Sequence, residues 1–290
     1  MKRIGESELI LNADGTIFHL HLKPQDIAHT IILVGDPARV DMVSDFFDTI
    51  EVKAANREFV THTGTYNGKR ITVTSTGIGT DNCDIVINEL DALVNVDLEK
   101  RVVKEKHTKL NFIRIGTSGS LQTDLPVDNY IITRKAIGFD GLLNFYANRD
   151  SVCDLEFEAA FTKAMNWNPK LAAPYTVDAA DELYFKLNEG IREGITIASP
   201  GFYGPQGRII RLETQDNDLN EKIEKFEWKG GRITNYEMES SAIFGLGKLL
   251  GHDSVTLCAI IANRMRKEYS KDYKVVVKSL VKLVLDRITK

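Results

Sequence analysis

Short apolar runs typical of buried strands alternate along the chain with stretches whose apolar residues recur at helical spacing. The predicted strands cover residues 31–34, 70–76, 111–115, 127–133, 195–199 and 254–262, and Asn67-Gly68 signals a hairpin turn before the second of them. Helices are predicted to begin at Asp36-Pro37, to run from about 81 to about 106, and to cover about 272–287. This alternation predicts one α/β domain over residues 1–290, built on a central mixed sheet flanked by helices.

Composition and charge narrow the classes of partner. The 37 Lys and Arg residues against 41 Asp and Glu give a net charge of −4. The overall charge therefore does not favour nucleic acid or an anionic membrane as a binding partner. An anionic substrate would have to be bound by a few arginines grouped at one site. The cysteines Cys83, Cys153 and Cys258 form no CxxC pair and are interpreted as buried, reduced thiols. Without an apolar signal core or a run of about 18 apolar residues, the expected compartment is the cytoplasm.

The stretch 35–39 carries a candidate anion site. A strand enters Gly35, a helix begins at the next residues, and Arg39 lies in its first turn. Exposed N–H groups and the helix dipole favour an anion there, and a guanidinium suits phosphate. The alternative is a plain turn with a solvated arginine.

A second arginine lies near the end of a predicted apolar strand, where its charge is costly unless paired. Arg114 is followed by Thr117 and Ser118, whose hydroxyls can donate to an anion from the predicted turn. The alternative is a structural salt bridge. Arg57, in the stretch 56–59, is a weaker candidate that by itself fits a surface residue. We expect Arg114→Ala to abolish any activity that depends on this anion while leaving the fold intact.

Two carboxylates flank Met238 at a predicted loop-to-helix junction. Glu237 and Glu239 could accept hydrogen bonds from adjacent sugar hydroxyls. They could equally be first-turn acids that favour the helix N-terminus.

The loop 202–208 combines an aromatic, an amide and a guanidinium. Gln206 can form two hydrogen bonds, one donated and one accepted, with the edge of an amide or a pyrimidine. Phe202 can stack on a sugar or a base, and Arg208 adds a positive charge. The alternative is an ordinary surface connection.

Taken together, segments in the same order along nearly the whole chain resemble the nucleoside phosphorylase superfamily, and within it the uridine phosphorylases. They are residues 18–20, 35–39, 57–59, 75–79, 89–90, 114–119, 202–208, 235–240 and 261–264. The resemblance implies a single domain whose central mixed β-sheet is partly barrel-like and flanked by helices.

The resemblance also implies residue roles. Phosphate would be bound by Gly35, Arg39, Arg57, Arg114 and Thr117, ribose by His19, Glu237, Met238 and Glu239, and the base by Phe202, Gln206, Arg208, Ile261 and Arg264. Arg114, Gln206 and Arg208 would act directly in catalysis. His19 and Arg57 would reach the site of a neighbouring subunit, which implies a homo-oligomer made of dimers, as in the hexamers of this family.

The implied activity is phosphorolysis of pyrimidine nucleosides, foremost uridine, with inorganic phosphate as co-substrate and no required cofactor. Purine enzymes of the superfamily carry an Asp near the positions matching 261–264, which this chain lacks. A nucleosidase would not need three arginines. A purine phosphorylase, a nucleosidase and a non-catalytic nucleoside-binding protein on this fold remain the alternatives.

Three departures from the family pattern bear on these expectations. The stretch 96–109 is longer than its bacterial counterpart and is predicted as a helical extension or a surface excursion. The family can bind potassium through positions matching Glu58, Ile78 and Asn82, but Asn82 replaces a serine, so no metal is firmly predicted. Ala262 replaces a larger aliphatic residue near the base, which would loosen base specificity.

Overall fold

The computed structural model describes residues 2–290 and contains both helices and strands along its whole length. The strands are β1 (Thr30–Val34), β2 (Thr49–Asn56), β3 (Phe59–Tyr66), β4 (Lys69–Ser75), β5 (Val96–Asp97), β6 (Val102–Val103), β7 (Asn111–Ser120), β8 (Tyr130–Gly138), β9 (Tyr175–Asp178), β10 (Arg192–Ala198), β11 (Glu227–Trp228), β12 (Gly231–Glu237), β13 (Asp253–Asn263) and β14 (Glu268–Tyr269). The helices are α1 (Ala38–Ser44), α2 (Thr80–Asn95), α3 (Leu155–Met165), α4 (Asp181–Leu187), α5 (Leu219–Lys225), α6 (Ser240–Leu250) and α7 (Tyr273–Thr289).

Five strands of the main sheet close into a barrel. They follow the order β12-β10-β8-β13-β7, and β12 then pairs antiparallel with β7 through Asn235–Ser120 and Tyr236–Gly119. From β7 the sheet continues outward as β1, β4, β3 and β2. Parallel pairs predominate near the centre, whereas β13–β8, β12–β7, β3–β4 and β2–β3 are antiparallel. The predicted mixed, partly barrel-like sheet is confirmed.

A belt of hydrogen-bonded polar side chains joins four of the barrel strands. Thr133 of β8 lies 2.8 Å from Thr196 of β10, which donates to Asn235 Oδ1 of β12 at 3.0 Å. Asn235 Nδ2 then donates to Ser118 Oγ of β7 at 2.6 Å. Because these side chains are buried, each polar group needs its partner, and the belt ties the closing strand β12 to the rest.

The helices pack around this sheet over a continuous apolar core. Helix α6 is buried along most of its length and lies between α2 and β13, and α7 packs on β13 and β7. Aromatic rings of α3 and of the segment after α5 form a second cluster, in which Phe157 and Phe161 stack on each other and both meet Phe226 edge to face. None of the helices within residues 2–290 is both long enough and apolar enough to cross a membrane.

Helix α2 ends at Asn95, so the prediction of a helix reaching about 106 is wrong. The cause is the side chain of Asn95, which accepts from the Thr108 N–H at 2.6 Å and donates to the Thr108 carbonyl at 3.1 Å. This pairing replaces the next helical turn. The chain between forms a small hairpin of β5 and β6, stabilised by β-branched valines, so 96–109 is a surface excursion and not a helical extension.

The other predicted element boundaries differ from the structure by fewer residues. Strand β7 continues to Ser120, so Gly116–Gly119, expected as a turn, is strand. Strand β8 begins three residues after the predicted 127 and runs to Gly138. The 235–240 segment is a direct strand-to-helix junction between β12 and α6. The Asn67-Gly68 hairpin is confirmed, with both residues at positive φ (49° and 73°) as a type I′ turn requires.

Truncating the centre of the polar belt tests its contribution to stability. Asn235→Ala removes the hydrogen bonds of Asn235 to the buried hydroxyls of Ser118, Thr196 and Thr234. We therefore expect it to lower the free energy of unfolding by about 3 kcal/mol. Urea unfolding followed by circular dichroism measures this. Exposed Asn217→Ala is the matched control and should change stability by less than about 0.5 kcal/mol. Equal stability of the two variants would contradict a role of the belt in closing the barrel.

Candidate active site

One cleft of about 890 Å³ opens where the barrel strands and β1 end. It brings together the predicted residues Gly35, Arg39, Arg114, Thr117, Phe202, Gln206, Arg208, Glu237, Met238, Glu239 and Ile261. Most of them come from the ends of β1, β10, β12 and β13 and from the turns or helix starts that follow, whereas Arg114 and Thr117 lie within β7.

Two guanidiniums converge at one end of the cleft. Arg39, on the first turn of α1, makes only a long hydrogen bond of 3.3 Å to the Ile115 carbonyl. Burial, and then the positive charge of Arg114, lower the pKa of Arg39 below its ordinary value. Nη1 of the buried Arg114 has no hydrogen-bond partner among residues 2–290. An anion placed between these groups would relieve the repulsion and fill the open donor, which suits a phosphate ion.

Arg114 is held from its other side by two buried carboxylates. Its Nε donates to Glu237 at 3.1 Å, and its Nη2 donates to Glu239. Burial acts to lower the pKa of Arg114, but the two carboxylates outweigh it and leave the pKa above its ordinary value. The guanidinium therefore stays charged. The structural salt bridge proposed as the alternative for Arg114 is present, and Arg114 also lines the cleft, while its binding of an anion stays a prediction.

The two carboxylates have different surroundings. Glu237 accepts from the N–H groups of Glu239 and Ser240, both at 2.9 Å, so it caps the N-terminus of α6 and orients Arg114. Glu239 accepts from the Gly79 N–H at 2.8 Å and faces the cleft beside Met238. Burial is the main cause that raises the pKa of Glu239 above its ordinary value. Glu237 thus fits the first-turn acid, whereas Glu239 fits the sugar ligand.

Two glycines of the turn at 77–79, Gly77 and Gly79, carried no predicted role of their own. Gly79 takes φ of 100° and offers its N–H to Glu239. Gly77 takes φ of 71°, and a Cβ there would lie 2.3 Å from the Asn82 amide. Both positions therefore require glycine. The glycines of the 75–79 segment were visible in the sequence, but their contact with a residue 160 positions away was not.

The opposite end of the cleft holds the amide, the guanidinium and the aromatic of the 202–208 loop. Gln206 is buried, and Arg208 donates to its side-chain oxygen and to the Phe202 carbonyl at 2.6 Å. The Arg208 guanidinium lies 3.7 Å above the Phe202 ring. Burial and the charge of Arg264 lower the pKa of Arg208 to about 10, so it is charged at neutral pH. These donors can meet negative charge on a bound ring.

Ile261, Ala262 and Tyr269 line the same end of the cleft. Tyr269 belongs to β14, a short strand that the sequence pattern did not predict. Arg264 does not line the cleft. It donates to the Gln206 main-chain carbonyl and lies 5.4 Å over the Tyr236 ring. Arg264, predicted to assist at the base, therefore contacts the residue that would read the base, and its own role in base binding stays a prediction.

His19 and Arg57 lie outside the cleft of their own chain. His19 Nδ1 is 2.6 Å from Glu89, whose carboxylate also accepts the N–H groups of His19 and Leu20. Arg57 is exposed in the turn between β2 and β3, at φ of 54°. Their predicted action in the site of a neighbouring subunit stays a prediction.

Glu58, Ile78 and Asn82 meet at the rim of the cleft. A carboxylate, a main-chain carbonyl and a side-chain amide are oxygen donors of the kind that hard cations prefer. Asn82 Nδ2 lies 3.5 Å from the Ile78 carbonyl, so these groups are close to one another. The donor set fits potassium, whose binding stays a prediction.

Comparison with known proteins places this cleft in a family. The model of a family described as the phosphorylase superfamily matches residues 29–289. This chain belongs to the phosphorylase superfamily. Uridine phosphorylase from Thermococcus kodakarensis is 31% identical over 268 residues, which cover 89% of this chain and 81% of that protein. Guanosine phosphorylase from Halorubrum lacusprofundi is 26% identical over 245 residues, covering 84% and 83%.

A solved structure agrees with this membership. The crystal structure of a Trypanosoma brucei nucleoside phosphorylase, described as showing uridine phosphorylase activity, matches with a TM-score of 0.86 at 28% identity. The match covers 96% of this chain and 98% of that one. The predicted superfamily, its fold and the assignment as an enzyme are confirmed. In this phosphorylase the two guanidiniums of Arg39 and Arg114, the Glu239 carboxylate and the 202–208 loop therefore share one cleft.

The buried charges give a stability prediction that separates the two arginines. Arg114→Met leaves Glu237 and Glu239 buried without a cation, so we expect a loss of about 3–5 kcal/mol in the free energy of unfolding. This reverses the earlier expectation that the fold would tolerate loss of Arg114. Arg39→Met removes a charge that has no carboxylate partner, so stability should change by less than about 1 kcal/mol.

Urea unfolding in phosphate-free buffer measures both variants. Comparable losses in the two proteins would contradict the assignment of Arg114 as the cation that compensates the carboxylates.

Proposed function

We propose that this phosphorylase cleaves uridine with inorganic phosphate, giving uracil and ribose 1-phosphate. One observation carries the proposal: two guanidiniums converge on an open space at one end of the cleft, and Gln206 with Arg208 lies at the other. Glu239, which is bonded to Arg114, lines the same cleft. Phosphorolysis needs phosphate, sugar and base together in one cleft, because the nucleophile attacks the sugar carbon on the side opposite the leaving base.

The reaction exchanges one bond for another. A phosphate oxygen bonds to C1′ of the ribose, and the bond from C1′ to N1 of the base breaks with its electron pair moving onto the base. Arg39 and Arg114 concentrate and orient the phosphate, with Gly35 and Thr117 lining the same end. Positive charge develops on the sugar in the transition state, and the bound phosphate dianion beneath it is stabilising.

The ribose is held by the middle of the cleft. The ionised Glu239 carboxylate accepts hydrogen bonds from the sugar hydroxyls, because each oxygen retains acceptor capacity beyond its bond to Gly79 or Arg114. Met238 packs against the same side of the sugar. Glu237 acts through its neighbours, since its oxygens are occupied by Arg114 and the α6 N-terminus.

The base end stabilises the leaving group. Gln206 and Arg208 present donors to the ring carbonyls, where the negative charge grows as the bond to C1′ breaks. Removing such a donor typically lowers the rate by about 10²–10³-fold. The facing residues Ile261 and Ala262 carry no acid that could protonate a purine, which favours a pyrimidine. The similarity to a guanosine phosphorylase makes purine nucleosides the second candidate.

The proposal includes a homo-oligomer in which His19 and Arg57 complete the site of a neighbouring subunit, in a dimer unit of a hexamer. Two features support it. Both residues lie away from their own cleft, and Ile78 at the rim is 69% exposed, as an interface residue is in a single chain. Phosphate is the co-substrate, and potassium at Glu58, Ile78 and Asn82 would join two subunits.

Phosphate dependence is the decisive test of this function. The purified protein should release uracil from uridine with phosphate present and release almost none in phosphate-free buffer, as measured by ultraviolet absorbance or chromatography. Arg39→Met should raise KM for phosphate by more than tenfold, because one of the two converging cations is lost.

Thymidine, deoxyuridine, inosine and guanosine serve as parallel substrates. Faster release of the purine bases would replace the pyrimidine proposal with the purine one. Equal release with and without phosphate would indicate hydrolysis, and no release from any nucleoside would indicate a binding protein.

The raised pKa of Glu239 predicts a pH dependence. The ionised carboxylate can accept from the sugar hydroxyls with both oxygens, whereas protonation turns one oxygen into a donor. Burial shifts this protonation to higher pH than for an ordinary glutamate. The value of kcat/KM for uridine should therefore fall with decreasing pH while exposed carboxylates are still ionised. Glu239→Gln should have a lower kcat/KM and lack this fall.

The ratio of wild-type to Glu239→Gln activity is the quantity to plot against pH, because the ionisation of phosphate affects both proteins alike and cancels. A ratio that stays constant as the pH decreases would show that Glu239 does not titrate in the reaction.

A further inference from the structure

The main-chain carbonyl of Gln206 is held by two side chains from outside its loop. Asn220 Nδ2 donates to this carbonyl at 3.2 Å, and Arg264 Nη1 donates to the same oxygen. The side-chain oxygen of Gln206 is bound by Arg208. Both ends of Gln206 are therefore fixed, one by its own loop and one by residues at more distant positions of the chain.

Asn220 connects this carbonyl to the barrel. It lies in the first turn of α5, and its Oδ1 accepts from the Tyr236 hydroxyl at 3.0 Å. Tyr236 is a buried residue of β12, immediately before Glu237. One amide thus spans from the strand that carries the sugar-binding segment to the residue that reads the base.

The fit around Asn220 is tight. Gly207, in the left-handed region at φ of 67°, passes so close that a Cβ there would lie 2.3 Å from Asn220 Nδ2. The loop can approach Asn220 only because this residue is glycine. Helix α5 is itself fixed, since Ile223 is fully buried in the aromatic cluster that includes Phe226. The contact is therefore a rigid support and not a chance encounter on a mobile surface.

We propose that Asn220 is a positioning residue for the base: it sets the orientation of Gln206 and so the discrimination among bases. The inference rests on the proposed function, because it acts on the same reaction. Asn220 does not touch the substrate, and its effect passes through Gln206 alone. A small displacement of Gln206 weakens the hydrogen bonds to the leaving base more than it weakens phosphate binding at the far end of the cleft.

Asn220→Leu tests the inference, since it keeps the volume and removes both hydrogen bonds. We expect kcat/KM for uridine to fall by about tenfold to a hundredfold, while KM for phosphate changes by less than about twofold. Tyr236→Phe, which removes only the anchor of Asn220, should lower kcat/KM in the same direction by a smaller factor. Asn217→Leu, an exposed asparagine just before α5, is the matched control and should retain wild-type values.

Repeating the substitution in a Gln206→Ala protein shows whether Asn220 acts by positioning Gln206 or by a general effect on the structure. In a Gln206→Ala protein the side chain that Asn220 orients is gone, so adding Asn220→Leu should lower kcat/KM by less than about twofold further. A loss as large as in the wild-type background would overturn the inference, as would an unchanged uridine kcat/KM in Asn220→Leu. If that variant does not fold, Asn220→Ser takes its place in the same pair of wild-type and Gln206→Ala proteins. Its side chain is polar but too short to reach the Gln206 carbonyl.

The wild-type assay distinguishes failure of this inference from failure of the function. Absence of phosphate-dependent uracil release by the wild-type protein overturns the proposed function, and the inference with it. An active wild-type protein with unaffected Asn220 variants overturns the inference alone.

Discussion

The structure depends on the neutralisation of charge around one buried guanidinium. Arg114 lies between Glu237 and Glu239, so a single cation faces two carboxylates in a setting from which water is largely excluded. Such a group is stable only when each oxygen has a donor, and here the donors are the N-terminus of α6 and the Gly79 N–H. The position of α6, the end of β12 and the turn before α2 are consequently fixed by the same interaction that forms the wall of the cleft.

This arrangement separates the two arginines by task. Arg114 is paired with carboxylates, whereas Arg39 forms no salt bridge within residues 2–290 and is repelled by Arg114. The positive charge of Arg39 therefore lies at one end of the cleft, although the chain as a whole carries a net charge of −4. A local field of this kind, and not the total charge, decides which ligand is attracted.

Much of the fold and of the site followed from local signals in the sequence. Apolar runs identified β1, β4 and β13, and most of the residues that the resemblance assigned to the site line one cleft. The features that local patterns missed depend on contacts between residues separated along the chain. The end of α2 is set by Asn95 with Thr108, the turn at Gly79 by Glu239, and the position of Arg264 by the Gln206 carbonyl. Neither hydrophobic periodicity nor residue type contains such pairings, and Asn220 had no motif to reveal it.

The closure of the barrel by β12 and β7 has a consequence for folding. The antiparallel pair joins residues more than 100 positions apart, and residues of both strands line the cleft. A partly synthesised or partly unfolded chain therefore contains every ligand-binding residue type but no binding site. Ligands then bind the native state alone, and their free energy adds to its stability in proportion to the logarithm of their concentration. A cell that accumulates substrate would thereby slow the turnover of the protein that consumes it, since degradation depends on the population of opened molecules.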